Sequence, residues 1–323
     1  MEKNSRIFVA GHRGLVGSAI RRGLERQGYT NLLLRTHAEL DLSDREAVRY
    51  FFSRECPEYV FLAAAKVGGI LANDTRPAEF IRDNLEIQTN VIDAGYRNGV
   101  KRLLFLGSSC IYPKMAPQPI KEEYLLTGEL EPTNRAYALA KIAGIEMCWS
   151  YNRQYGTQYL AAMPSNVYGP GDNFDPLSSH VLPALIRKVA HAKQLGEKQI
   201  VVWGTGTPRR EFLYSDDLAD GCIYLMNLAA PAFDSLLGQE AAPLINVGSG
   251  QDQTIRETAQ LVMSVLNFKG ELVFDTSRPD GTPRKLLDVS KINSLGWHSA
   301  TSLEEGIRNT CDVMRGQLEF LRA

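Results

Sequence analysis

Short apolar runs alternate with longer stretches of helical periodicity along the first half of the chain. Runs rich in leucine and β-branched residues predict five strands: RIFVAG, NLLLRT, YVFLAAA, RLLFLGSS and YLAAMPSN. The stretches between them predict helices over residues 15–27, 44–54, 77–98 and 134–155. The strands do not alternate in polarity, which is typical of strands buried on both faces. The pattern predicts an α/β fold with a Rossmann-type doubly wound parallel sheet.

The pattern changes after residue 166, where a loop rich in Pro, Gly and Asp (YGPGDNFDPLSSH) precedes further helices and strands. A helix is predicted near 181–196, a strand in QIVVWG, a helix in SDDLADGCIYLMNLAA and a strand in PLINVGSG. We expect residues 1–170, with about 212–250, to form the Rossmann domain. Residues 171–211 and 251–323 are expected to form a smaller C-terminal α/β domain that binds the substrate.

Composition narrows the class of partner and the compartment. Among 323 residues, 36 Lys and Arg balance 37 Asp and Glu, which argues against a nucleic-acid or membrane surface as partner. The five cysteines form no closely spaced pairs, and their odd number favours reduced thiols and no metal site. The N-terminus lacks a signal-like apolar segment, and apolar runs stay short. These observations predict a cytoplasmic protein.

The first strand leads into a glycine-rich turn, VAGHRGLVGSAIRRGL, with Gly11, Gly14 and Gly17 in GxxGxxG spacing. The first glycine permits a tight turn, the second lets the backbone approach a pyrophosphate, and the third lets the helix pack on the strand. The N-terminus of the following helix attracts the phosphates. Within a βαβ unit this motif predicts dinucleotide binding.

Two arginines indicate which dinucleotide binds. NAD-binding folds usually carry an acid at the end of the second strand, but this chain has Arg35 there, and Arg13 lies inside the glycine turn. Two guanidinium groups could hold a 2′-phosphate by charge-assisted hydrogen bonds. The alternative is a pair of solvated surface arginines. The prediction is NADP(H).

The segment NRAYALAKIAG contains Tyr137 and Lys141, four residues apart and therefore on one face of a predicted helix. An ammonium near a phenol favours the phenolate, so we expect a tyrosine that exchanges a proton with a carbonyl or alcohol oxygen. Ser108, at the end of the fourth strand, supplies a second hydroxyl.

The glycine turn, Ser108, Tyr137 and Lys141 resemble the extended short-chain dehydrogenase/reductase family, whose members mostly act on nucleotide sugars. The resemblance extends over nearly the whole chain and includes these segments: AAAKVGGI, LGSSCIYPK, AKIAGIEMC, PSNVYGPGDNF, VVWGTGTPRREFL and RPDGTPRKLLD. The resemblance is strongest to those members that epimerise GDP-4-keto-6-deoxy-D-mannose at C3 and C5 and then reduce C4. The resemblance implies these further cofactor contacts: Leu15, Val16, Asp41, Leu42, Lys141, Pro164, Asn166, Val167 and His180.

Two residues go beyond the needs of a plain 4-reductase. The resemblance implies that Cys110 and His180 exchange the acidic protons beside the 4-keto group, one removing a proton and the other returning one to the opposite face. Cysteine can serve as a base where positive charge lowers its pKa, and histidine can act as an acid at neutral pH. The alternative is that Cys110 packs as a small apolar residue and His180 caps the helix beginning near 181.

The resemblance also implies the groups that bind the GDP-sugar: Lys188, Trp203, Arg210 and Asp280. It further implies a homodimer, in which the helices over 77–98 and 134–155 pair as a four-helix bundle. The competing interpretations are another nucleotide-sugar epimerase or 4-ketoreductase, and an NADP-binding regulatory protein without chemistry. Such regulatory proteins usually lose the tyrosine and lysine, which this chain retains.

Overall fold

The computed structural model describes residues 1–175, 178–278 and 280–316. The strands are, in chain order, β1 (Ile7–Ala10), β2 (Leu32–Leu33), β3 (Tyr59–Leu62), β4 (Arg102–Leu106), β5 (Tyr159–Pro164), β6 (Asn166–Tyr168), β7 (Gln199–Trp203), β8 (Arg209–Tyr214), β9 (Leu244–Val247), β10 (Asp252–Thr254), β11 (Glu271–Asp275) and β12 (Arg284–Lys285). The helices are α1 (Leu15–Arg26), α2 (Arg45–Glu55), α3 (Ile70–Thr75), α4 (Pro77–Arg97), α5 (Arg135–Tyr155), α6 (Val181–Leu195), α7 (Ser215–Asn227), α8 (Ala230–Asp234), α9 (Ile255–Val265), α10 (Ser290–Ser294) and α11 (Leu303–Met314).

A parallel sheet with strand order β2-β1-β3-β4-β5-β9 forms the centre of the fold. Helices α2, α4 and α5 bury their apolar residues against one face, and α1 and α7 against the other. The predicted doubly wound sheet is therefore confirmed. Because β2 and β3 lie on opposite sides of β1, the loops after β1 and β3 diverge there and leave a crevice at the carboxyl ends of the strands.

Local signals fix where several helices begin and end. Asp44 caps α2 by accepting hydrogen bonds from the backbone N–H groups of Glu46 and Ala47. Thr254 and Glu257 form a capping box at the start of α9. Helix α5 ends at Gly156, whose φ of +67° a glycine adopts without a steric penalty. Such signals explain why the predicted helices lie within a residue or two of the observed ones.

A third apolar cluster lies beyond the sheet and is built from α6, α9, α11, β7 and β8. Strand β8 pairs with β6 and β12 in parallel and with β10 in antiparallel orientation, and β7 pairs in parallel with β11. Helix α10 and Trp297 pack instead in the cluster of α1 and α7. The proposed division of the chain into two domains stays a prediction.

Two expectations about individual strands need adjustment. The second strand was expected to span NLLLRT, but only Leu32 and Leu33 pair with β1. Strands β8 and β12 form within WGTGTPRREFL and RPDGTPRKLLD, where the sequence pattern predicted no strand. Among the described residues, no helix combines the length and apolarity needed to cross a bilayer.

Candidate active site

The glycine turn after β1 is shaped by close backbone contacts. Gly11 has a φ of +84°, and a Cβ there would lie 2.8 Å from the backbone nitrogen of Ala64 at the end of β3. A Cβ on Gly17 would lie 2.1 Å from the carbonyl oxygen of Gly11. Both positions therefore require glycine for packing, as the sequence predicts.

Gly14 differs, because the protein itself leaves room there. It precedes α1 with an ordinary φ of −76°, and its Cβ would meet Gly11 O, the nearest described atom, at 3.5 Å. A glycine that packing does not demand fits a position where a ligand approaches the backbone. Leu15 and Val16 form the first turn of α1, whose N–H groups point toward the same space. The turn thus fits a dinucleotide pyrophosphate.

The two arginines proposed for the 2′-phosphate differ in their surroundings. Arg13 is exposed in the turn. Arg35 is partly buried, donates to Glu55 Oε1 at 2.6 Å, and lies over the Phe51 ring at 5.4 Å. A 2′-phosphate would thus compete with Glu55 for the Arg35 guanidinium.

His12, between Gly11 and Arg13, connects these groups. Its side chain is buried, lies near the backbone of Arg35, and has an Nδ1 without a hydrogen-bond partner among the described residues. Burial and the Arg13 guanidinium lower the pKa of His12. The end of β2 and the glycine turn therefore meet at His12, a residue that sequence reasoning did not single out.

The other residues implied as cofactor contacts lie in the loop between β2 and α2 and in strands β5 and β6. Asp41 accepts hydrogen bonds from the Ser43 hydroxyl and backbone, which lower the pKa of Asp41, and Leu42 is buried beside it. Pro164 ends β5. Asn166 and Val167 lie in β6, where the Asn166 amide donates to the carbonyl oxygen of Glu211 at 2.7 Å.

Tyr137 and Lys141 lie one turn apart on α5 and face the end of β4. The Lys141 ammonium is buried, donates to the carbonyl oxygen of Leu106 at 2.8 Å, and lies 5.8 Å from the centre of the Tyr137 ring. The Ser108 hydroxyl is near enough to the Tyr137 phenol to lower its pKa, and the Tyr137 ring packs edge-on against Phe80 of α4. The structure thus brings the predicted Ser, Tyr and Lys together.

The electrostatics of this pair differ from the expected phenolate. Burial raises the pKa of Tyr137, the Cys110 thiolate raises it further, and the Ser108 hydrogen bond lowers it. Burial also lowers the pKa of Lys141 to about 8, because its ammonium has lost most of its hydration. Tyr137 is therefore a neutral phenol with a proton to donate, and the expected low pKa is not observed.

Cys110 lies in a short 3-10 turn after β4, and its N–H donates to Ser108 Oγ at 3.4 Å. The side chain is 6% exposed. Burial raises the pKa of the thiol, whereas Lys285, the Ser108 hydrogen bond and Lys141 lower it. Burial outweighs these effects, so the pKa of Cys110 is raised above its usual range.

His180 lies at the N-terminus of α6, as the alternative interpretation supposed, but its side chain makes no capping hydrogen bond to the described part of that helix. His180 is exposed to solvent, although the surrounding protein displaces part of the hydration of its imidazole. This desolvation and the Lys285 ammonium lower the pKa of His180. Lys285 thus acts on both Cys110 and His180.

Sequence reasoning missed Lys285 as a site residue, although it lies in the segment RPDGTPRKLLD that carries part of the resemblance. In β12 it is in register with Arg210 of β8. Its place beside Cys110 depends on a pairing between distant strands, which a local pattern does not reveal.

The four groups proposed for the GDP-sugar lie on α6, β7, β8 and the loop between β11 and β12. The Arg210 guanidinium donates to the carbonyl oxygen of Thr282 at 2.6 Å. Asp280 is exposed and accepts from the backbone and hydroxyl of Thr205, at 2.9 and 2.7 Å. Its carboxylate thus already holds the loop that follows β7.

Lys188 and Trp203 border a cavity beside β7. The Lys188 ammonium donates to the carbonyl oxygen of Val201, and Trp203 is 66% exposed with the Arg278 guanidinium 5.1 Å from its ring centre. A large aromatic face left open to water beside two cations fits a flat, anionic ligand.

Comparison with known proteins places this geometry in context. The model of the NAD dependent epimerase/dehydratase family matches residues 7–234. GDP-L-fucose synthase 1 of Arabidopsis thaliana is 59% identical over 311 residues, 96% of this chain and 93% of that protein. GDP-L-fucose synthase of Escherichia coli (strain K12) is 56% identical over 305 residues, 94% of this chain and 95% of that protein.

Among solved structures, MlghC, a GDP-mannoheptose C4 reductase from Campylobacter jejuni with NADP bound, is similar with a TM-score of 0.88. It is 43% identical, and the match covers 98% of this chain and 99% of that one. The similarity in sequence and in fold extends well past residue 234, into the segment that carries Lys285.

Proposed function

The chain belongs to the NAD dependent epimerase/dehydratase family, and on that premise we propose that it converts GDP-4-keto-6-deoxy-D-mannose to GDP-L-fucose. The reaction comprises epimerisation at C3 and C5 and an NADPH-dependent reduction at C4. The observation that carries the proposal is the grouping of Ser108, Tyr137, Lys141 and Cys110 in one crevice. The Lys285 ammonium lowers the pKa of both Cys110 and His180, which places His180 near the same group. Ser108, Tyr137 and Lys141 suit hydride transfer, whereas Cys110 and His180 suit proton exchange at carbon.

For the reduction, Tyr137 donates its phenolic proton to O4 of the sugar, and Ser108 orients that hydroxyl. The high pKa of Tyr137 keeps the proton on the phenol until negative charge develops on O4. The Lys141 ammonium, fixed by the Leu106 carbonyl, stabilises the resulting phenolate. Bound NADPH supplies the hydride to C4.

For the epimerisations, the 4-keto group makes the protons on C3 and C5 acidic, since either carbanion is delocalised as an enolate. Of Cys110 and His180, one removes the proton from one face and the other delivers a proton to the opposite face. His180 is the candidate for the delivering role, because an imidazole can exchange protons near neutral pH.

The same crevice supports the choice of NADP(H). The glycine turn accommodates the pyrophosphate, and Arg13 and Arg35 are the cations available for a 2′-phosphate. We also assign the GDP-sugar to Lys188, Trp203, Arg210 and Asp280: Arg210 and Lys188 suit the diphosphate, and Trp203 suits stacking on the base. Asp280 is an acceptor for the donor groups of that base.

A GDP-sugar C4 reductase without epimerase activity is the second candidate, since MlghC shares 43% of its sequence with this chain. Incubation with GDP-4-keto-6-deoxy-D-mannose in deuterated water, with and without NADPH, separates the two. Deuterium at both C3 and C5 together with NADPH-dependent formation of GDP-L-fucose supports the bifunctional enzyme. NADPH oxidation without deuterium at these carbons supports the plain reductase.

We further propose a homodimer formed through α4 and α5. Tyr96 and Tyr155 stack with ring centres 4.2 Å apart at the surface of these helices, and Leu139 is 39% exposed on α5. Exposed aromatic and leucine side chains on two adjacent long helices favour pairing with a second copy. All five cysteines are free thiols, which supports a reducing, cytoplasmic setting.

A further inference from the structure

Segment 66–69 leads into α3 and is anchored at its first residue by Asn84 of α4. The N–H of Lys66 donates to Asn84 Oδ1 at 3.1 Å, and the Asn84 amide donates to the carbonyl oxygens of Lys66 and Phe80, at 3.0 and 2.7 Å. Asn84 is buried, and these bonds use both its oxygen and its nitrogen. The start of the segment is therefore fixed to the backbone that carries Phe80.

Asn73 of α3 holds the other end of this segment. Its Nδ2 donates to the carbonyl oxygens of Gly68 and Gly69, at 2.8 and 3.1 Å. The side chain is buried, and its Oδ1 has no hydrogen-bond partner among the described residues. A buried amide with an unpaired oxygen serves stability poorly, because that oxygen has lost its hydration without replacement. The presence of asparagine is better explained by what its two Nδ2 bonds hold in place.

Gly69 connects Asn73 to the segment before His180. The N–H of Gly69 donates to the carbonyl oxygen of Ser178 at 3.1 Å. Only Ser179 separates Ser178 from His180 in the chain. Asn73 and Ser178 thus bind the same residue from two sides, and a shift of Gly69 would reach the backbone that leads into His180.

Gly68 connects Asn73 to Tyr137 through one aromatic ring. A Cβ on Gly68 would lie 3.1 Å from Phe80 Cζ, so the glycine backbone packs directly on that ring. Phe80 is buried and packs edge-on against Tyr137, with ring centres 6.3 Å apart. Because closely packed groups do not move independently, a shift of Gly68 would be passed to the Tyr137 phenol.

We propose that Asn73 is a positioning residue for both halves of the active site. Its bond to Gly69 sets His180 for proton exchange at carbon, and its bond to Gly68 sets Tyr137 for reduction at C4. The inference rests on the proposed function for the tasks of these two groups. One amide thereby fixes two reacting side chains that lie on separate elements, one on α5 and one at the start of α6.

The first variant is Asn73→Ala, which removes both Nδ2 bonds. Two rates are measured at saturating substrate: deuterium incorporation at C3 and C5 of GDP-4-keto-6-deoxy-D-mannose, and C4 oxidation of GDP-L-fucose by NADP⁺. A displacement of 1 Å at a catalytic group costs roughly a hundredfold, so shifts of a few tenths of an ångström should lower each rate about three- to tenfold. NADPH binding should survive, which reports that the variant is folded.

Asn73→Ser separates the two connections. A serine hydroxyl in a helix can donate to the carbonyl four residues earlier, so it can keep the bond to Gly69 but does not reach Gly68. C4 oxidation should fall about three- to tenfold in this variant, whereas deuterium incorporation should stay near the wild-type rate. A loss of helix stability alone would lower both rates together. If Asn73→Ala does not bind NADPH, Asn73→Ser carries the test.

Asn98→Ala is the matched control. Both the N–H and the Nδ2 of Asn98 donate to the carbonyl oxygen of Ala94, as those of Asn73 donate to Gly69. Asn98, however, lies at the opposite end of α4 from Phe80. Both rates should therefore remain those of the wild type.

A readout without substrate keeps the proposal separate from the proposed function. In protein with ¹³C-labelled histidine, the His180 imidazole resonance is identified by its loss in His180→Gln. This resonance should shift in Asn73→Ala and stay in place in Asn98→Ala. If the wild-type enzyme exchanged no deuterium at C3 or C5, the epimerase assignment would fall, and the resonance would still decide whether Asn73 positions His180. Wild-type rates in Asn73→Ala, an unmoved His180 resonance, or an equal loss of both rates in Asn73→Ser would each overturn the proposal.

Discussion

Replacing Gly69 with alanine should disturb epimerisation more than reduction, because Gly69 touches the backbone that leads to His180. Its N–H donates to the carbonyl oxygen of Ser178 at 3.1 Å. A Cβ on Gly69 would lie 3.1 Å from that oxygen and 3.3 Å from the carbonyl oxygen of Ser179. The φ of −66° is ordinary, so alanine adds crowding without backbone strain.

The size of the effect follows from these distances. The carbonyl groups must retreat by a few tenths of an ångström to reach ordinary contact, and His180 follows them directly in the chain. A displacement of 1 Å at a catalytic group costs roughly a hundredfold, so a few tenths should cost about three- to tenfold. Deuterium incorporation at C3 and C5 should fall by that factor.

The reduction site is measured separately as the initial rate of C4 oxidation of GDP-L-fucose by NADP⁺, which needs no epimerisation. That rate should stay within about twofold of wild type, because Tyr137 and Lys141 lie on α5 and not on the segment that the alanine would displace. Gly238→Ala, whose Cβ would meet no described atom within 4 Å, is the control. An equal loss in both assays, or a loss in neither, would contradict the argument.

Four further changes test other parts of the site. Cys110→Ser should lower deuterium exchange by orders of magnitude while NADPH binding survives. Slow reduction of the unepimerised substrate should then yield a GDP-6-deoxy sugar other than GDP-L-fucose. Deuterium exchange at the wild-type rate in this variant would show that Cys110 is a packing residue. Tyr137→Phe should do the reverse and abolish C4 reduction while exchange at carbon continues. Arg35→Glu should narrow or reverse the preference for NADPH over NADH in a binding titration, and an unchanged ratio would remove Arg35 from the 2′-phosphate site. Because burial lowers the pKa of Lys141 to about 8, the C4 reduction rate should fall as pH rises through about 8 and the ammonium is lost; Lys141→Arg should move that decline to higher pH. Light scattering at micromolar concentration should give twice the chain mass of 35.9 kDa, whereas the monomer mass would argue against pairing through α4 and α5.

The sequence predicts the parts of the site that depend on local patterns. The glycine turn and the helix after it follow from spacing and periodicity, and the structure explains Gly11 and Gly17 by backbone contact. Tyr137 and Lys141 face the same way because they are four residues apart on a helix. These features need no knowledge of how distant segments meet.

Features that depend on tertiary contacts could not be predicted in this way. The pairing of β12 with β8 brings Lys285 close enough to affect the pKa of Cys110 and His180, but a two-residue strand after a Pro- and Gly-rich loop has no recognisable pattern. The pKa of Tyr137 also depends on how deeply the phenol is enclosed, and burial is the largest of the effects that raise it. Spacing shows that two groups are neighbours, but not how much water surrounds them.

The position of β12 near the end of the chain has a consequence for synthesis. The central sheet is complete only when β9, Leu244–Val247, has joined it, and the Lys285 ammonium arrives with the segment that follows. On the ribosome, the nascent chain can therefore assemble the glycine turn and the Tyr137 helix before Lys285, the second cation that acts on Cys110, has been made. The capacity to bind the nucleotide cofactor should mature first, and proton abstraction should be the last property that the folding protein gains.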